Sequence, residues 1–166
     1  MADPAAPSDA LVAWLGIVEG IEKALEGLAE GDLDLRGGAD GWSIRETVHH
    51  LVEANLVASN IVIAALARSG CVYDWSWVTP DASWMRRVGY DSAPVGPALQ
   101  TLRALTEHVA GLIRGGSDRP RREVQLLDAP GAKLYTRTIE ELLRQETEHA
   151  EGHLRGVAET RTAHGR

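Results

Sequence analysis

Two capping boxes set most of what this chain can become. Ser43-Ile44-Arg45-Glu46 and Thr138-Ile139-Glu140-Glu141 each place a hydroxyl three residues ahead of a carboxylate. At a helix start, that pair satisfies backbone N–H groups which would otherwise lack partners. Each box opens a long run without proline, so two long helices are expected, over about residues 43–69 and 137–160. Two more runs show helical periodicity. Leu11, Trp14, Leu15, Val18, Ile21, Leu25 and Leu28 recur at three- and four-residue steps, which predicts a helix over about 8–30 ended by Gly31 and the Gly37-Gly38 pair. Leu99, Leu102, Leu105, Val109, Leu112 and Ile113 do the same over about 92–115, with Pro94 in the first turn and Gly115-Gly116 at the end.

Four amphipathic helices of similar length predict an all-α fold. The expected architecture is a four-helix bundle, one domain over residues 1–166, with a long crossover connection between the second and third helices. That connection, residues 70–92, carries Tyr73, Trp75, Trp77, Trp84 and Tyr90. Connections of this length are uncommon unless they cover something, so the aromatic residues are expected to pack on the core or to wall a pocket at one end of the bundle. Residues 117–135 read as irregular, with a turn at Ala129-Pro130-Gly131 and a short strand at Val124 to Leu127.

Charge narrows the partners. The net charge of −7 and pI near 5.3 argue against nucleic acid or an anionic membrane, and leave a small-molecule substrate as the expected partner. No run approaches the ~20 apolar residues of a membrane span, and Met1 to Asp9 lacks a basic-then-apolar leader. A lone cysteine, Cys71, forms no internal disulfide, which fits a reducing cytoplasm. It also removes thiolate-rich metal sites, leaving His, Asp and Glu as ligands.

The histidines carry the chemistry. His149 and His153 are four residues apart, one turn of helix, and both fall on the apolar stripe of the fourth helix together with Glu146. Burying three polar side chains on a core stripe is costly unless they are paired or ligated. On the second helix, His50 lies about 50–60° from the centre of the apolar stripe and His49 well over 100° away. His50 is therefore expected to lean inward and His49 to face water. Three imidazoles from two helices can hold one divalent ion with positions left open for chemistry, and imidazole suits zinc, nickel, copper and iron alike. Glu146 is the candidate catalytic carboxylate, orienting a ligand or acting as general base. Two other readings stay open. Glu46-x-x-His49 and Glu146-x-x-His149 repeat the motif of ferritin-like di-iron carboxylate proteins. A non-catalytic, metal-stabilised small-molecule-binding or stress protein needs no reaction at all.

Taken together, Trp42-Ser43, Glu46, His50-Leu51 and, a hundred residues later, His149-x-x-x-His153-Leu154 resemble the DinB/YfiT-like superfamily of small metal-binding four-helix proteins. The resemblance spans nearly the whole chain. It implies a divalent ion, zinc or nickel being the expected choices, held by His50, His149 and His153. It also implies either hydrolysis or transfer of a low-molecular-weight thiol such as mycothiol or bacillithiol, and pairing into a homodimer.

Overall fold

The computed structural model describes residues 8–37 and 41–166; Gly38 of the glycine pair and the first seven residues of the N-terminal segment lie outside them. Its central element is helix α3, Ile44–Ala67. The first capping box starts it as expected. The Glu46 N–H donates to Ser43 Oγ at 3.1 Å, and the Ser43 N–H donates to Glu46 Oε2 at 2.8 Å. Arg36 adds a two-pronged clamp on the same carboxylate at 2.8 and 3.2 Å. Burial works against ionising Glu46, but the Ser43 N–H and the Arg36 guanidinium outweigh it and hold the carboxyl below its usual range.

Helix α3 packs against the long helices later in the chain, described below as α5 and α6. By length and composition it is apolar enough to cross a membrane, contrary to the sequence expectation, and half of that window is buried inside the protein. The N-terminal helix is divided at Gly16 into α1, Asp9–Leu15, and α2, Ile17–Leu25. Gly16 keeps helical angles, φ −70° and ψ −11°, so the stripe of Leu11, Trp14, Val18 and Ile21 stays buried across the break. The helix ends at Leu25 rather than near residue 30, because Glu26 turns extended and Gly27 takes φ 79°. Buried Trp14 donates through Nε1 to Asn55 Oδ1 at 2.8 Å, and Asn55 Nδ2 donates to Leu51 O at 2.8 Å. This pair ties α1 to α3 and fixes which face of α3 looks inward.

The connection after α3 is not a bare loop. It holds strand β1, Cys71–Asp74, and helix α4, Ala82–Val88, capped by Asp81 and closed by Gly89 at φ 85°. Helix α5 runs Val95–Arg114 and begins later than residue 92, since Pro94 stands extended at its cap and disfavours helix in the residue before it. The expected strand is β2, Glu123–Leu127, with Val124 and Leu126 turned into the core. It lies between β1, which it pairs in parallel, and β3, Tyr135–Thr138, which it pairs antiparallel. The turn expected at Ala129-Pro130-Gly131 closes with the Ala132 N–H on Ala129 O at 3.1 Å, and Gly131 takes the φ of 75° that the turn demands. Strand β3 then feeds directly into α6, Ile139–Ala163, whose cap is Thr138. The C-terminal end is fastened rather than frayed: Arg161 donates to Ala24 O and Glu26 O, and His164 Nε2 lies 3.1 Å from Arg36 O. Both α1 and α2 pack on α6, which completes a four-helix bundle with a small sheet at its side.

The Glu46 network gives a stability prediction. Glu46→Ala removes the acceptor of the Ser43 N–H and leaves Arg36 without its carboxylate, so denaturant unfolding at neutral pH should show a loss of about 1–3 kcal/mol. The carboxyl is depressed in the folded state. Its contribution is therefore complete above the ordinary carboxylate range and is lost as pH falls through the lower folded value. The acid limb of stability against pH should be correspondingly flatter in Glu46→Gln than in the wild type.

Candidate metal centre

His50 sits in the second turn of α3, on the face that meets α6. His149 and His153 sit one turn apart on α6. The three imidazoles converge. His50 Nε2 is 3.2 Å from His149 Nε2, and His153 Nε2 is 3.0 Å from the same atom. Among the described residues these three form the one cluster of His, Cys, Asp or Glu able to hold a metal ion, with ligand atoms all within 4.8 Å of one another. Ligand nitrogens bound tetrahedrally to zinc would lie about 3.3–3.4 Å apart. The 3.0 and 3.2 Å spacings fall a few tenths of an ångström short of that value, and all three rings lie close enough together to share a divalent ion.

Electrostatics point the same way. His50 is 6% exposed, and burial, reinforced by the neighbouring His149 and His153, pushes its pKa down to about 3. It is therefore neutral at physiological pH, the form that ligates a metal. Its Nδ1 is buried without a hydrogen-bond partner, which matches a ring whose working contact is made through Nε2. Glu146 comes from the turn before His149, with Oε2 3.6 Å from His149 Nδ1. That oxygen is buried and lacks a hydrogen-bond partner. A small closure would let the carboxylate accept from Nδ1–H, fixing the tautomer that offers the Nε2 lone pair outward. Trp42, the residue before the cap of α3, lies flat on His153 with centroids 5.6 Å apart and 9° between planes, and tilts against His50 at 4.8 Å.

The cluster forms part of the wall of a cavity of about 550 Å³ between α3, α6 and the sheet. Trp75, Val78 and Pro80 of the connection close one side, so the expectation of an aromatic wall holds for Trp75. Trp77 is instead 67% exposed. Trp84 reaches Glu53, one turn after His50, and donates Nε1 to its carboxylate at 2.9 and 3.2 Å, while the Tyr90 hydroxyl donates to it at 3.4 Å.

Two expectations need correction. His49 does not face water: it is buried, stacks on the Tyr90 ring at 5.0 Å, and has Nε2 3.1 Å from Ala93 O. The connection covers that face of α3, which a helical wheel alone does not reveal. The di-iron arrangement also fails on α3, since Glu46 is committed to its cap and Arg36, His49 to Ala93, and Glu107 of α5 is exposed. Trp42 had been noted as part of a motif but not as a neighbour of the ligand set. Glu53 lies on the same covered side of α3 as His49, so a helical wheel does not mark it as a cavity residue either.

A family model described as the DinB superfamily matches residues 19–156. The chain belongs to the DinB superfamily. Among solved structures it is similar to YfiT from Bacillus subtilis, at 17% identity and a TM-score of 0.76, over 99% of this chain and 94% of that one. YfiT is described as a probable metal-dependent hydrolase with an unusual four-helix bundle topology. At this identity the likeness establishes the fold. No curated protein matches the chain. Within this DinB-superfamily bundle, the convergence of His50, His149 and His153 makes a quantitative prediction. Zinc or nickel titrated into metal-free protein should bind at one ion per chain. Alanine at any of the three should weaken binding at least about 100-fold, and Glu146→Gln by about 10–100-fold. Unchanged binding in all four variants, measured by competition with a chromogenic chelator, would place the ion elsewhere.

Proposed function

We propose that this chain is a metal-dependent hydrolase in which His50, His149 and His153 hold one divalent ion. The observation that carries the reading is the composition of the cavity wall. Three imidazole Nε2 atoms stand in a cavity to which the described residues contribute no serine, threonine, cysteine or lysine. The wall's own nucleophilic side chains are carboxylates and one tyrosine, and in this reading the nucleophile is water or a thiol from outside the chain. A divalent ion held by three imidazoles supplies the Lewis acidity that lowers the pKa of water, or of a thiol, into the physiological range.

The chain's own residues do the rest. Glu146 Oε2, buried and without a hydrogen-bond partner, accepts the proton the nucleophile gives up, or holds His149 through Nδ1. Trp42 braces His50 and His153 from the side and keeps their rings from swinging out. Leu126, Leu142, Val57 and Ile61 supply apolar surface to the cavity wall, beside the polar Glu53, Asp128 and Gln145. Transfer of a low-molecular-weight thiol such as mycothiol uses the same ion and the same carboxylate, and differs only in the nucleophile.

Zinc- or nickel-loaded protein assayed on ester and amide panels, with and without added thiol, separates the two. Turnover without thiol is expected. His149→Ala should remove it, and Glu146→Gln should lower kcat by about 10²–10⁴ while one ion is still bound at saturating metal. Product that forms only with added thiol would reassign the reaction to thiol transfer. A fully loaded protein with neither activity would leave the ion a structural role.

A further inference from the structure

The cavity beside the histidines carries a charge pattern that selects among substrates. Among the described residues its wall includes Glu53, Asp128 and Glu146 and no arginine or lysine. Arg137 and Arg144 line an adjoining, more open depression that shares Asp128, Tyr135 and Gln145 with the cavity. Both are already engaged there, Arg144 with Glu140 at 2.6 Å and Arg137 over the Tyr135 ring at 4.9 Å.

Glu53 is the residue that matters most. Its carboxylate is pinned by an indole N–H and a phenol O–H, from Trp84 and Tyr90. Both donors are neutral, so they fix the position of the carboxylate without cancelling its charge. Burial pushes the Glu53 carboxyl up, against those two hydrogen bonds, so its charge is under-stabilised until something positive arrives. Trp42 and Trp75 present aromatic surface to the same cavity. Carboxylate, indole surface and absent basic side chains together make an environment that favours a weakly hydrated organic cation.

We propose that the cavity binds an apolar molecule bearing an ammonium group, a protonated amine or a quaternary nitrogen, with the cation against Glu53 and the aromatic surface and the reactive bond toward the histidines. The position of the reactive bond rests on the hydrolase reading; recognition of the cation does not. The long connection then has a purpose: it supplies the two donors that hold the recognition carboxylate in place.

Three probes with one apolar body test the proposal: 3-phenylpropyltrimethylammonium, 3-phenylpropanol and 3-phenylpropane-1-sulfonate. Binding is followed by calorimetry on zinc-loaded and on metal-free protein. The ammonium probe should bind at least ten times more tightly than the other two in the zinc-loaded protein, with the same order in the metal-free protein. Glu53→Gln should reduce that lead below threefold while leaving the affinity for 3-phenylpropanol and for zinc unchanged. An alcohol or sulfonate that binds as tightly as the ammonium probe in wild type overturns the proposal, whether or not the variant folds. So does a cation preference that survives in a folded Glu53→Gln protein. Zinc titration of the same samples reports on the three-histidine site separately, so a failed cation preference beside intact zinc binding removes the substrate class and leaves the hydrolase reading standing.

Discussion

The arrangement of this protein turns on one crowded atom. His149 Nε2 has another imidazole Nε2 at 3.2 Å and a third at 3.0 Å. A neutral imidazole nitrogen offers either one lone pair or one N–H, so it cannot complete a good hydrogen bond to both neighbours at once. Protonating His50 is no remedy, because burial and the neighbouring His149 and His153 push its pKa down to about 3. A shared divalent cation resolves the conflict for all three rings together. The cluster is thus a poor hydrogen-bond network and a good ligand set, and the rest of the molecule is arranged to keep it in place.

That arrangement can be followed from the caps inward. Ser43 and Glu46 fix where α3 begins, and Arg36 locks the cap from outside. The Trp14–Asn55 hydrogen bond fixes the rotation of α3 about its axis. Start and rotation together aim His50. On α6, Thr138 and Glu141 fix the start, and helical spacing then places Glu146, His149 and His153 one turn after another. Trp42, just ahead of the α3 cap, lies against the histidines because the cap is where it is. A mutation at the cap would reach the site through geometry, without touching a ligand.

Local signals in the sequence were sufficient for these parts. Both capping boxes and the four-residue histidine step depend on neighbours a few positions away: the boxes start α3 and α6 where expected, and His149 and His153 lie one turn apart on α6. Features that depend on distant residues were not legible. Strands β1 and β3 are four residues long and exist because β2 pairs with both, across separations no periodicity reports. His49 and Glu53 fall on what a wheel marks as the polar side of α3. That side is covered by Tyr90, Ala93 and Trp84 of a connection tens of residues away. A wheel alone therefore turns His49 toward solvent and gives no sign that the Glu53 carboxylate shapes the cavity.

The central claim is that three imidazoles on two helices share one ion. Anomalous diffraction from crystals of the protein as purified, recorded on both sides of the zinc and nickel absorption edges, tests it most directly. A single peak bonded to the Nε2 atoms of His50, His149 and His153 is the predicted result. A peak held by other residues, or a His50 ring turned away from the pair on α6, would contradict it.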